Sequence, residues 1–428
     1  MILPLNIAAL PLPKTLATTT IQHDFPNVLS DVYSGNVPAE NIWLSFCKKG
    51  EHSVHSKLAA SLHDTDRERV VLSGSSTVSL DRQNQYKYRA RWGFTSSTVI
   101  SPSLIVADPA HSNEQQPHQI TAFAISSSPD LIATGLADGT LSLYRRPPVP
   151  QPRTPYPSLP VHSTTPLATG TAHKSTISAL QFMRCSQGGM IVASAGADFA
   201  VHLTPVHEDV STAPLAPTSS FTAHTRPVTA LAPLAFHPSA LLSGARDGAL
   251  RLWDTYSGAQ AGAWEAGADV GALIEDGRVT WAALADGHAE AFDIRARGAV
   301  ARFRAGDAAL SAIDVCVTGR NVVAGGEDGV VAVFDVRTMG QGSSEGGAPT
   351  LARWQRTGGV VEGVAFASGS KIVIGGADGL PYVIRFGEEF GVDADLVFGD
   401  VEAVRGMHVD GKDVWLAGDG GVLRKYEL

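Results

Sequence analysis

The chain has 428 residues, of which 44% are hydrophobic and 18% charged, with 43 glycines and 25 prolines; this composition suits many short strands joined by tight turns and argues against long helices. The formal charge is −9, and it is uneven: residues 251–428 hold 26 Asp and Glu against 16 Lys and Arg, whereas residues 1–250 hold 16 against 17. No basic stripe is present to release counterions from phosphates, which excludes a bare nucleic-acid surface and favours a basic protein surface as partner.

The opening segment, residues 1–13, is apolar but lacks a basic leader and is interrupted by Pro4, Pro11 and Pro13, so it reads as an arm and not as a signal peptide. Strand-like runs at residues 41–47, 53–58, 69–72 and 77–80, separated by turn formers, predict a small β-rich N-terminal domain over residues 1–95. No run of about 18 apolar residues occurs, so no membrane-spanning helix is expected. Cys47, Cys185 and Cys316 form no Cys-x-x-Cys pair. They read as buried reduced thiols of a cytoplasmic, and also nuclear, protein, without a metal or redox site.

From residue 96 onward the chain repeats. The clearest copy is LLSGARDGALRLWD at residues 241–254, in which an apolar strand reaches Ser243, Arg246-Asp247-Gly248 makes a turn, and a second strand ends at Trp253-Asp254. The pattern returns at residues 131–144, 191–204, 281–292, 322–334 and 372–384, and more loosely at 415–426. Turns at Asp138, Asp198, Asp247, Asp286, Asp328, Asp378 and Asp419-Gly420 make seven units spaced 39 to 60 residues apart. That spacing brackets the period of about 40–45 residues of a four-stranded propeller blade.

The last copy ends in its third strand, so the outermost strand of that blade is expected from the alternating stretch 97–107, closing the ring by joining both ends. Insertions at 145–166, with eight prolines between Pro147 and Pro166, at 205–219 and at 338–349 each follow a third strand. They therefore emerge on one face and leave the face with the Asp turns open for docking. Pro152 and Pro155 have P-x-x-P spacing, but a solvated spacer is the expected reading of that segment.

Set on the WD-repeat pattern, which these blades resemble, His224, Ser243, Asp247 and Trp253 fall on the four positions whose side chains hydrogen-bond across a blade. His173, Ser194 and Asp198 have the composition of a nucleophilic triad. Their register recurs one blade later, which assigns them to the framework. No catalytic residue, cofactor or metal ligand is expected. The expected fold is all-β: a seven-bladed WD40-type β-propeller over residues 96–428, preceded by the small N-terminal domain.

Trp43-Leu44-Ser45, the following Lys-Lys-Gly turn and Ser53-Val54-His55, together with the final strand at residues 421–426, are similar to the end segments of the proteasomal ATPase-associated factor family. The resemblance implies a chaperone for assembly of the proteasome regulatory particle, monomeric when free, that binds the C-terminal domain of one ATPase subunit. Its contacts are expected in short loops of the acidic half, at Glu265, Asp269, Asp307, Glu327, Asp400 and Glu402, with Arg246 beside the turn Asp247. The alternative is a scaffold or substrate receptor in another complex, such as a ubiquitin ligase or ribosome assembly.

Overall fold

The computed structural model describes residues 11–428 except 75–77, 94, 111–118, 129, 185–188, 207–213, 339–349, 369, 388–389 and 400–401. Seven antiparallel units of four strands succeed one another, and their innermost strands begin at Ile120, Ile177, Val228, Val270, Leu310, Val361 and Val404. Each innermost strand packs on the next, and Ile120–Ser127 packs on Val404–Asp410, so the units close a ring. This is a seven-bladed β-propeller. Buried apolar side chains from adjacent blades interlock, as where Val323 and Val333 of blade five meet Val361 and Ile374 of blade six.

The ring closes through Leu104–Ala107, which runs antiparallel to Val422–Glu427 with Val106 opposite Leu423. The stretch 97–107 is nevertheless two strands and not one. Thr95–Ile100 lies parallel to Gly391–Leu396 of blade six, with Thr98 opposite Ala394. Ser101-Pro102-Ser103 separates them, because Pro102 has no N–H for a ladder. The flanking serines are buried, and Ser101 N–H donates to the Tyr86 carbonyl while Ser103 N–H donates to that of Lys425.

The expected boundary at residue 95 is crossed by hydrogen bonding. Val78–Arg82, Lys87–Trp92 and Thr95–Ile100 extend the sheet of blade six to seven strands, and Lys14–Thr15 adds a parallel strand to blade five. Thr18–Ile21, Ala39–Cys47, Val54–Leu62 and Val70–Ser73 form a separate four-stranded sheet. Helix Phe25–Ser34 covers it by burying Phe25, Val28, Leu29 and Val32, and Gly35 ends the helix at φ +73°.

The Pro-rich insertion is not a solvated spacer. Tyr156 is buried in the N-terminal core, its hydroxyl accepts the Val70 N–H at 3.1 Å, and Arg82 lies over its ring while donating to the Pro155 carbonyl. Leu159 N–H donates to Asn27 Oδ1, and Val161–Ser163 pairs with Leu104–Ala107. The segment is therefore a strap from blade one across the seventh blade to the N-terminal sheet, and proline stiffness lowers the entropy lost in ordering it. Of the insertion at 205–219, residues 207–213 lie outside the described residues, and Leu215 N–H donates to the Thr169 carbonyl; of that at 338–349, all but Thr338 lie outside them. Among the described residues no helix is long and apolar enough to cross a membrane.

Candidate functional site: the turn face of the ring

Because blade strands alternate in direction, the turn between second and third strands lies at the same end as the connection into the next blade. The repeated Asp sits in this turn. Its carboxylate accepts the N–H two residues on in blades one to six, as Asp138 does from Thr140 at 2.9 Å and Asp328 from Val330 at 3.0 Å. In all seven turns an N–H donates to the carbonyl three residues back, from Gly139, Phe199, Gly248, Gly287, Gly329, Gly379 and Gly421. By this register Gly420 occupies the Asp position of blade seven. Asp419 stands one residue earlier and pairs with Arg405 instead, Nε to Oδ1 at 2.8 Å.

In blade three the four framework residues meet. His224 Nδ1–H donates to Asp247 at 3.0 Å, Ser243 Oγ–H donates to His224 Nε2 at 2.8 Å, and Trp253 Nε1–H donates to Ser243 Oγ at 2.8 Å. Asp247 also takes the N–H of Thr225 and of Ala249. Burial alone would raise the Asp247 carboxyl, but these hydrogen bonds outweigh it and hold its pKa below the usual value. Burial pushes His224 down, against the opposing pull of Asp247.

Acid should therefore weaken this blade. Between the ordinary imidazole value of 6.5 and its own lower one, His224 is neutral when folded while the unfolded chain takes up a proton, so stability falls as pH drops below about 6.5. The Asp247 contribution is lost at still lower pH. His202 and His408 are also lowered by burial and add to the slope. His224→Gln should flatten the fall in urea midpoint between about pH 7 and 5; an unchanged slope would remove the tetrad from the account.

Blade two repeats the geometry without the indole. His173 Nδ1 lies 2.8 Å from Asp198 and Nε2 lies 2.9 Å from Ser194 Oγ, while Thr204 replaces the tryptophan. The distances are those of a nucleophile and its base, but Ser194 is fully buried and the same contacts recur in blade three. A nucleophile that no substrate reaches is a framework group. Donor atoms of His173, Asp198 and His202 also lie within 4.8 Å of one another, yet both ring nitrogens of His173 are taken up by Asp198 and Ser194.

Those of the expected contact residues that are described share the turn face but differ in availability. Asp307 pairs with Arg304 at 2.9 Å and Arg353 at 3.0 Å, Glu402 with Arg424 at 2.9 Å, and Asp269 loosely with Arg226 at 3.8 Å. Arg246, Glu265 and Glu327 are exposed. Asp400 lies outside the described residues. Of the expected acidic residues, Asp269, Asp307 and Glu402 are thus paired with arginines, and Glu265 and Glu327 are left exposed.

Several positions on this face had gone unread in the sequence. Each innermost strand bulges after its first residue, and the second residue reaches the neighbouring blade: Thr121 donates to Ile177 O, Thr229 to Val270 O and Ser311 to Val361 O, each at 2.6 Å, and Ser178 to Val228 O. In blades six and seven the same position carries Glu362 and Arg405, which bridge the seam at 3.0 Å. Burial raises the Glu362 carboxyl despite the nearby Arg405. The signal was a Ser or Thr after the first apolar residue of the strand, repeated at the blade period. Cys47 is exposed and Cys316 partly so, contrary to the expected burial, and Cys185 lies outside the described residues.

A groove of about 270 Å³ opens where the N-terminal sheet meets the blade-six turn, with Ile21, His23, Trp43, Leu380 and Phe398 among its walls. Residues 109–145 and 215–254 match the WD domain, G-beta repeat family. The two stretches cover the inner strands of blade one and the tetrad-bearing strands of blade three. No curated protein matches the chain.

Proposed function

We propose that this WD-repeat propeller is a non-enzymatic chaperone that assists assembly of the proteasome regulatory particle by holding the C-terminal domain of an ATPase subunit, in the cytoplasm and the nucleus. WD repeats indicate a protein-interaction scaffold; the finer reading rests on the similarity of the two end segments. The observation that carries it is their placement. Trp43, from the N-terminal segment, is 44% exposed and walls the groove beside blade six, while the final strand closes the neighbouring blade seven. An aromatic at the rim of a mixed groove is a characteristic anchor for a protein partner.

Glu265 and Glu327 supply charge for a basic partner on the same face. The test is binding of the full chain to each isolated C-terminal domain of the proteasomal ATPase subunits. One domain should bind, and Glu265→Lys with Glu327→Lys should weaken it by about fivefold or more at low salt while leaving the urea midpoint unchanged. If no domain binds, or native extracts yield ubiquitin-ligase or ribosome-assembly components without proteasomal ATPases, the proposal fails.

A further inference from the structure

Six of the seven blade turns place glycine at the residue whose N–H closes the turn, and its φ is +69° to +86° in every case. Blade two places Phe199 there, at φ +71°. A left-handed conformation is unfavourable for a bulky L-residue, and glycine avoids that cost. Space is short as well. At Gly139, Gly287, Gly329 and Gly379 an added Cβ would sit 2.1–2.5 Å from a carbonyl oxygen of the following interblade loop.

Three of the six sibling turns also gain a clamp. Gly139 O accepts from Ala172 and His173 N–H, Gly248 O from Ala266 N–H, and Gly287 O from Ala305 and Gly306 N–H. Among the described residues the Phe199 carbonyl receives no such bond from the loop before blade three. Phe199 thus carries backbone strain, and burial does not compensate, because the residue is 41% exposed. Strain without a folding return is the mark of a position kept for contact.

The surroundings define what is contacted. Asp198, one residue before, is turned inward and held by His173 and by the N–H groups of Lys174 and Ala200. Asp247 in the next blade is consumed in the same way. With these carboxylates engaged, Lys174, Arg226 and Arg246 are left exposed around the two turns, with Asp269, 3.8 Å from Arg226, and the exposed Glu265 at the outer edge of blade three as acidic neighbours. The outline is an aromatic anchor, pre-set by a pinned turn, beside three exposed cations.

We propose that Phe199, with Lys174, Arg226 and Arg246, forms a docking site for an acidic protein segment carrying apolar side chains. It adjoins Glu265 at the edge of blade three, is separate from Glu327 and from the Trp43 groove, and does not depend on the partner proposed above. Charge complementarity selects the segment and Phe199 supplies the desolvated contact.

The probe is a fluorescein-labelled peptide of about twelve residues alternating glutamate and leucine, followed by anisotropy with the full chain at low salt. Binding should fall about tenfold or more in Phe199→Gly, the size of a hot-spot loss. The triple variant Lys174→Glu, Arg226→Glu, Arg246→Glu should lose as much. Phe199→Gly should meanwhile raise the urea midpoint, since it restores the turn of the other blades. The proposal is overturned if a lysine–leucine or glutamate–serine peptide binds as well, if Phe199→Gly binds like the parent, or if its midpoint falls, which would give Phe199 a folding role.

Discussion

Arg356→Ala is expected to lower the free energy of unfolding by about 3–5 kcal/mol, the usual cost of stripping one member from a buried ion pair. Arg356 and Asp395 pair with side chains only 2% and 6% exposed. The guanidinium also donates from Nε to the Ala17 carbonyl at 3.0 Å and lies 4.5 Å from the Tyr382 ring centroid, while Ser97 donates to the second Asp395 oxygen. One contact set therefore ties together blade five, blade six, the N-terminal arm and the strand Thr95–Ile100. The urea midpoint reads the loss. Replacing both partners, Arg356→Met with Asp395→Leu, should recover at least about half of it, because no uncompensated charge is left inside. A loss below about 1 kcal/mol in the single variant would show that the pair is not what holds these segments together.

Asp247→Ala is expected to cost about 3 kcal/mol, since it leaves the Thr225 and Ala249 N–H groups and the His224 ring without their acceptor. Asp419→Ala should cost under about 1 kcal/mol, because that residue is one position early in its turn and its carboxylate serves a partly exposed pair with Arg405. Equal losses in the two variants would mean that the repeated aspartate acts through general charge and not through its seat in the turn. Binding measured under folded conditions should be unchanged in Asp247→Ala, whose side chain faces the blade interior.

The propeller was legible because its turn chemistry repeats. An Asp followed by a residue with positive φ, between two apolar strands, leaves a mark at every blade, and the tetrad adds His224, Ser243 and Trp253 at fixed offsets. The same regularity concealed exceptions. Asp419-Gly420 reads as a seventh Asp-Gly turn, yet the Gly421 N–H sets the register one residue later. Contacts between distant segments left no periodic mark: Tyr156 finds Val70 86 residues away, so a run of prolines read as a spacer. Counting charges could not tell paired carboxylates from free ones: Arg304, Arg353 and Arg424 fold onto Asp307 and Glu402. The helix at Phe25–Ser34 did carry its signal, with Phe25, Val28, Leu29 and Val32 at helical spacing, but the strand-rich composition drew attention away from it.

The seam between Leu104–Ala107 and Val422–Glu427 also sets a clock. Ser103 and Lys425, hydrogen-bonded there, are 322 residues apart in sequence. At ribosomal rates of about 5–20 residues per second, the first partner waits on the order of tens of seconds for the second. During that interval the apolar run Leu104-Ile105-Val106-Ala107, which Val161–Ser163 pairs on one side, keeps its other edge unpaired, the kind that recruits other chains. Slowed synthesis of the later blades should therefore send more of the nascent protein into aggregates.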